Sequence, residues 1–140
     1  LKELPATAKK IRAAGNAQIG WSAYLAYNNQ ERHRVLRHFS YMAVDAPADI
    51  RKEIGLDTRA ASRVKEAMLK GDLEEAVRHL PESLVDRYAV TGTPAECALI
   101  IAEHRPYFDL FLLPMNDEME CEAHIRSSAA ILNQASCAGD

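Results

Sequence analysis

The chain is expected to fold as an α/β protein built on a parallel sheet, and three stretches carry that expectation. Ala17 to Tyr27 (AQIGWSAYLAY) has strand character, with Ile19, Trp21, Ala23 and Leu25 on one face and Tyr24 and Ala26 on the other. Both faces are largely apolar, so both are expected to be covered. Asp86 to Glu96 (DRYAVTGTPAE) reads as a short strand, a glycine turn and the start of a capped helix. Leu110 to Pro114 (LFLLP) is apolar at every position, as suits a strand buried on both sides.

The first helix is expected from Leu4 to Ala14, closed by Gly15 and Asn16. After the strand, Asn28 and Asn29 can cap a helix beginning near Gln30, with Val35, Leu36, Phe39, Met42 and Ala43 as its buried stripe. Residues 46–84 read as a helical excursion in short pieces. Pro47 opens one piece that Gly55 closes. Asp57 or Thr58 caps a second, with Ala60, Ala61, Val64, Ala67 and Met68 inward and a stop at Gly71. Asp72 caps a third that stops before Pro81. Thr93 is the N-cap of the next helix, Pro94 its first residue and Glu96 its third, which makes a capping box. A last helix is expected from about Glu118 to Gln134, with a frayed tail over 135–140. Strands alternating with helices imply parallel pairing and right-handed crossovers. Two good strands and a short one leave open edges, so partner strands should come from elsewhere.

At 140 residues the chain has the length of one domain, and its net charge of −3 argues against a nucleic-acid partner. Its apolar runs fall short of the roughly 20 residues of a membrane span, and its start, LKELPATAKK, lacks a secretory h-region. A chain opening on Leu1 rather than Met is expected to be a fragment or a processed piece. Cys97, Cys121 and Cys137 follow no zinc or redox spacing, which favours reduced thiols and a cytoplasmic setting.

The run LVDRYAVTGTPAECALIIAEHR followed by FDLFLLP resembles the C-terminal part of the bacterial luciferase-like superfamily. Its members are TIM-barrel, flavin-dependent monooxygenases and deazaflavin (coenzyme F-420)-dependent reductases. They commonly show a "VTGTPEE" turn, an amphipathic helix, an "AGVD" turn and a final barrel strand. The turn here is Val90, Thr91, Gly92, Thr93, Pro94, Ala95 and Glu96. The likeness runs from about Leu4 to Leu132, but only over the last part of a family barrel. It departs where His104, Arg105, Pro106, Tyr107, Phe108 and Asp109 stand in place of "AGVD". The resemblance implies a single partial domain over residues 1–140: the C-terminal part of a TIM (β/α)8 barrel, with the helical excursion between its last two strands. Ala17–Tyr27 would be the seventh strand and Phe108–Leu113 the eighth. The family's glycine-rich flavin-phosphate segment and its early catalytic residues have no counterpart here, so the catalytic residues stay unknown.

The working face of a TIM barrel lies at the C-terminal ends of its strands. That points to Asn28, Asn29 and Met115 as substrate-pocket candidates, and to Thr91, Gly92 and Thr93 as cofactor-binding candidates. Free N–H groups at the Thr93 helix start could hold a phosphate. Equally, Thr93 and Glu96 could satisfy those donors between themselves. The basic run Arg32, His33, Arg34, Arg37 and His38 could hold a phosphate or an acidic coenzyme tail, or form a solvated helix face. Trp21 and Tyr24 could line a flavin pocket or belong to the core. The scattered histidines and the alternating Glu118, Glu120 and Glu122 suggest no metal site.

The resulting expectation is a segment of a flavin- or deazaflavin-dependent oxidoreductase, inactive alone. FMN or coenzyme F-420 would serve the full-length enzyme in hydride transfer or monooxygenation of a small organic substrate. A homo-oligomer or a missing N-terminal barrel part should complete the fold. The competing expectation is a non-catalytic helical binding or assembly module that retains a barrel remnant.

Overall fold

A computed structural model describes residues 3–114 and 121–137. The chain divides into two compact units, Leu1–Tyr27 with Val90–Asp140, and Asn28–Ala89. Along the chain the elements are α1 (Leu4–Ala14), β1 (Gly20–Ser22), β2 (Leu25–Ala26) and α2 (Asn29–Asp45). Then come α3 (Ala48–Glu53), α4 (Thr58–Leu69), α5 (Leu73–Val77) and α6 (Ser83–Tyr88). The rest are β3 (Val90–Thr91), α7 (Pro94–His104), a 3-10 turn (Arg105–Tyr107), β4 (Leu110–Leu112) and α8 (Cys121–Cys137). The described fold is mixed α/β and mostly helical, and its strands form no closed barrel.

In the first unit every strand pair is parallel. β1 pairs with β4, Trp21 opposite Phe111, and β2 pairs with β3, Leu25 opposite Val90. Parallel neighbours need a crossover: between β2 and β3 the chain runs through Asn28–Ala89, while α7 joins β3 to β4, which belong to different pairs. Asp109 locks the start of β4: its carboxylate accepts the Ile19 N–H at 2.7 Å and the Arg12 guanidinium at 3.1 Å. One core gathers Ile19, Trp21, Ala23 and Leu25 from the first strand segment with Cys97 and Ile101 of α7, Phe108, and Ile131 of α8. The face predicted from alternation is therefore the buried one.

The opposite face meets expectation at β2, where Ala26 is buried and Tyr24 half-buried, and departs from it at β1. Gly20 and Ser22 are exposed, and Leu110 and Leu112 beside them are 49% and 51% exposed. The apolar run of β4 is thus covered on one side only, where Phe111 is half-buried, because the described helices cover just the Trp21–Phe111 side. The strand expected over Ala17–Tyr27 is also shorter, ladder-bonded only at Gly20–Ser22 and Leu25–Ala26, since its partners are two or three residues long. Helix α8 reaches Cys137 with Ala135 buried, so it carries on into the stretch expected to fray. Its expected start near Glu118 lies outside the described residues.

The second unit is wholly helical among its described elements, and α2 lies against α4, α5 and α6. The capping residues act as read. Asn28 accepts the Glu31 N–H at 2.8 Å, Asp57 that of Ala60 at 2.7 Å, and Asp72 that of Glu75 at 2.9 Å. Gly55 and Gly71 end their helices at φ +79° and +74°, where a side chain would be strained. The α2 stripe is Val35, Leu36, Phe39, Ser40 and Ala43. Met42 is 57% exposed rather than buried, because at about 100° per residue it falls at the stripe's edge. In α4, Ala61, Val64 and Ala67 are buried, whereas Ala60 and Met68 are half-buried. Asp86–Tyr88 is the end of α6 and not a strand, so the short strand is Val90–Thr91 alone.

Candidate functional site at the strand ends

In the first unit the C-terminal ends of the parallel strands are marked by Tyr27 after β2 and Gly92 after β3. At the β3 end the chain turns sharply into α7. Thr93 donates its N–H to Glu96 Oε2 at 2.7 Å and its hydroxyl to the same oxygen at 2.8 Å, and its Oγ1 accepts the Glu96 N–H at 3.3 Å. Both backbone and side-chain donors hold the Glu96 carboxyl below its usual range. Gly92 sits at φ +133°, and a Cβ there would lie 2.9 Å from the Glu96 side chain. The glycine thus gives Glu96 room to fold back. The capping box takes the donor that a phosphate would need first, so an anion would have to displace the Glu96 carboxylate. Behind the turn the Cys97 thiol is fully buried, and burial, aided by the Glu96 charge, pushes it up to about 11. That is an inert thiol rather than a nucleophile.

At the β2 end a pair arises that the linear sequence does not display. Tyr27 Oη lies 3.3 Å from His124 Nδ1, and the two rings stack with centroids 5.9 Å apart. These residues are 97 positions apart, and His124 has no spacing signal of its own. One turn further along α8, Ser128 is fully buried, with no hydrogen-bond partner for its hydroxyl among the described residues. Burial of both a histidine and a serine on the face that also carries Ile131 and Ala135 is a polar interruption of an apolar stripe. Only the i, i+4, i+7 pattern of His124, Ser128 and Ile131 could have signalled it.

Trp21 is a core residue. It contacts the rings of His104, Phe108 and Phe111 at 5.5, 5.2 and 5.3 Å on the helix-covered face. Tyr24 is half-buried, and burial raises its phenol. His104 makes a 2.8 Å bond between Nδ1 and the Ile100 carbonyl, which requires the proton on Nδ1.

Asn28 and Asn29 belong to the second unit. Asn28 is spent as the cap of α2, while Asn29 lines a cleft described below. Met115 lies outside the described residues. The basic run of α2 is largely neutralised: Arg32 meets Asp86 at 2.8 Å, His33 meets Glu74 at 2.8 Å, and Arg34 meets Glu31 at 2.9 Å. Arg37 lies 3.5 Å from Glu74, and burial lowers the His38 imidazole. Among the described residues, no group of three or more His, Cys, Asp or Glu side chains could hold a metal ion. No helix among them is long and apolar enough to cross a membrane.

Comparison with protein-family models, with curated proteins and with solved structures finds no match to this chain.

Proposed function

We propose that the chain is the C-terminal segment of a luciferase-like, flavin- or deazaflavin-dependent oxidoreductase, contributing the last strands of its barrel. The observation that carries this reading is the one-sided β1–β4 sheet. Its parallel strands have helices on one face, and a bare face of Gly20, Ser22, Leu110 and Leu112 on the other. A (β/α) barrel has this arrangement locally, with helices outside and side chains filling the interior. The bare face is then the side that upstream strands would close over.

In the complete enzyme, FMN or coenzyme F-420 carries the hydride or oxygen chemistry on a small organic substrate. This segment's part is to build the pocket wall at the strand ends, through Tyr27, Thr91–Thr93, Leu113 and Pro114. The Glu96 carboxylate leaves the Thr93 turn a poor phosphate holder, so the cofactor's phosphate is assigned to upstream residues. A cytoplasmic location and completion of the barrel by further chain or by a homo-oligomer belong to the same reading. Fluorescence titration with FMN and with coenzyme F-420 tests it, using the 140-residue chain and its natural reading frame extended upstream by about 200 residues, enough for a barrel. Binding by the extended chain alone is expected. Tight binding by the 140-residue chain would relocate the cofactor site into this segment, and no binding by either would end the enzyme reading.

The same bare face favours a second reading, an assembly module that pairs with another chain and catalyses nothing. Sedimentation together with the titration separates the two: a stable dimer that Leu110→Thr with Leu112→Thr dissociates, from a chain that binds neither FMN nor coenzyme F-420 alone or extended, belongs to the module.

A further inference from the structure

The second unit contains a cleft of about 520 Å³ between α2, α5 and α6, within the size range of small-molecule sites. Its floor is apolar and buried: Leu36, Val77, Leu80 and Val85 are between 1% and 8% exposed. Its rim carries both signs of charge. Arg32 spends one guanidinium nitrogen on Asp86 at 2.8 Å and keeps further donors of its five. Glu82 is close enough to act electrostatically on Arg32, yet its carboxylate makes no hydrogen bond or ion pair among the described residues. Asn29 adds a carboxamide on the same rim, also without a side-chain partner among the described residues.

A cation with donors to spare, a neighbouring unpaired carboxylate and an apolar floor form a specific combination. A simple anion would meet Glu82 and Glu74, and a simple cation would meet Arg32 and Arg78. A molecule carrying an ammonium and a carboxylate on one carbon, with an apolar branch, satisfies all three features together. We propose that this cleft binds a free apolar α-amino acid. Its carboxylate accepts from Arg32 and Asn29, its ammonium donates to Glu82, and its side chain lies on Leu36, Val77, Leu80 and Val85. Such a site is independent of the oxidoreductase reading, since every residue in it belongs to the Asn28–Ala89 unit.

The test uses the 140-residue chain, isotope-labelled for NMR and titrated with L-leucine, 4-methylpentanoate and 3-methylbutylamine. The last two keep the apolar branch and lose one charge each. Saturable shifts at Asn29, Arg32 and Val85 are expected with L-leucine, and binding at least about tenfold weaker for either single-charge analogue. Glu82→Gln removes a charge from an exposed residue whose carboxylate has no partner among the described residues, so folding should be untouched while L-leucine binding falls about tenfold. Arg32→Lys, which keeps the charge but not the fork, should weaken binding as well. The proposal is overturned if L-leucine causes no saturable shift, if 4-methylpentanoate binds as well as L-leucine, or if Glu82→Gln binds like the parent.

Discussion

Thr93, Gly92 and Glu96 form a small machine for starting a helix, and each has its own consequence. Thr93→Ala should cost about 1 kcal/mol in urea unfolding, because a helix start loses its cap. Gly92→Ala should destabilise for two reasons at once, the left-handed φ and the 2.9 Å contact with Glu96. Ser128 predicts the opposite sign. Its hydroxyl is buried without a partner among the described residues, so Ser128→Ala should raise stability by about 1 kcal/mol. A loss in thermal or urea unfolding would mean that the hydroxyl is satisfied. Asp109 governs acid behaviour. The Ile19 N–H first, and then Arg12, hold its carboxyl below the usual range. A depressed folded-state value means that its contribution is complete above the ordinary aspartate value of about 4 and is lost as pH falls through the lower one. Unfolding followed from pH 7 down to pH 2 should therefore show a decline below about pH 4 that Asp109→Asn makes shallower. Glu96 adds a further depressed carboxyl, so the slope should shrink rather than vanish.

Among the elements, helices were far easier to anticipate than the environments of strands. A helix announces itself by its caps. Asn28, Asp57, Asp72 and Thr93 are short polar residues ahead of apolar periodicity, and each accepts the N–H three residues on. Alternation likewise marked Ile19, Trp21, Ala23 and Leu25 as one buried face. What alternation could not reveal is whether a second layer lies over the other face, which depends on chain far away. β4 shows this: five apolar residues in a row, Leu110 to Pro114, with Leu110 and Leu112 half in water. Helix α7 supplies a chemical check on burial. Cys97 is fully buried and its thiol is pushed up, while Cys137 at the end of α8 is exposed. Iodoacetamide at pH 8, read by peptide mass mapping, should label Cys137 readily and Cys97 only as the protein unfolds. Rapid labelling of Cys97 in the folded chain would contradict the burial of α7's inner face.

For the whole molecule, the α/β class, the helix starts and the inward face of the first strand segment were legible from residues 1–140 because they rest on local rules. Caps need neighbours three positions away, and faces need only a period. Tertiary structure decided the rest. It joined Tyr27 to His124 across 97 residues and gathered Arg32 and Glu82 around one cleft. It also left one face of the β1–β4 sheet bare. Each of these depends on which surfaces meet, and burial is a property of what lies opposite a residue, not of the residue itself.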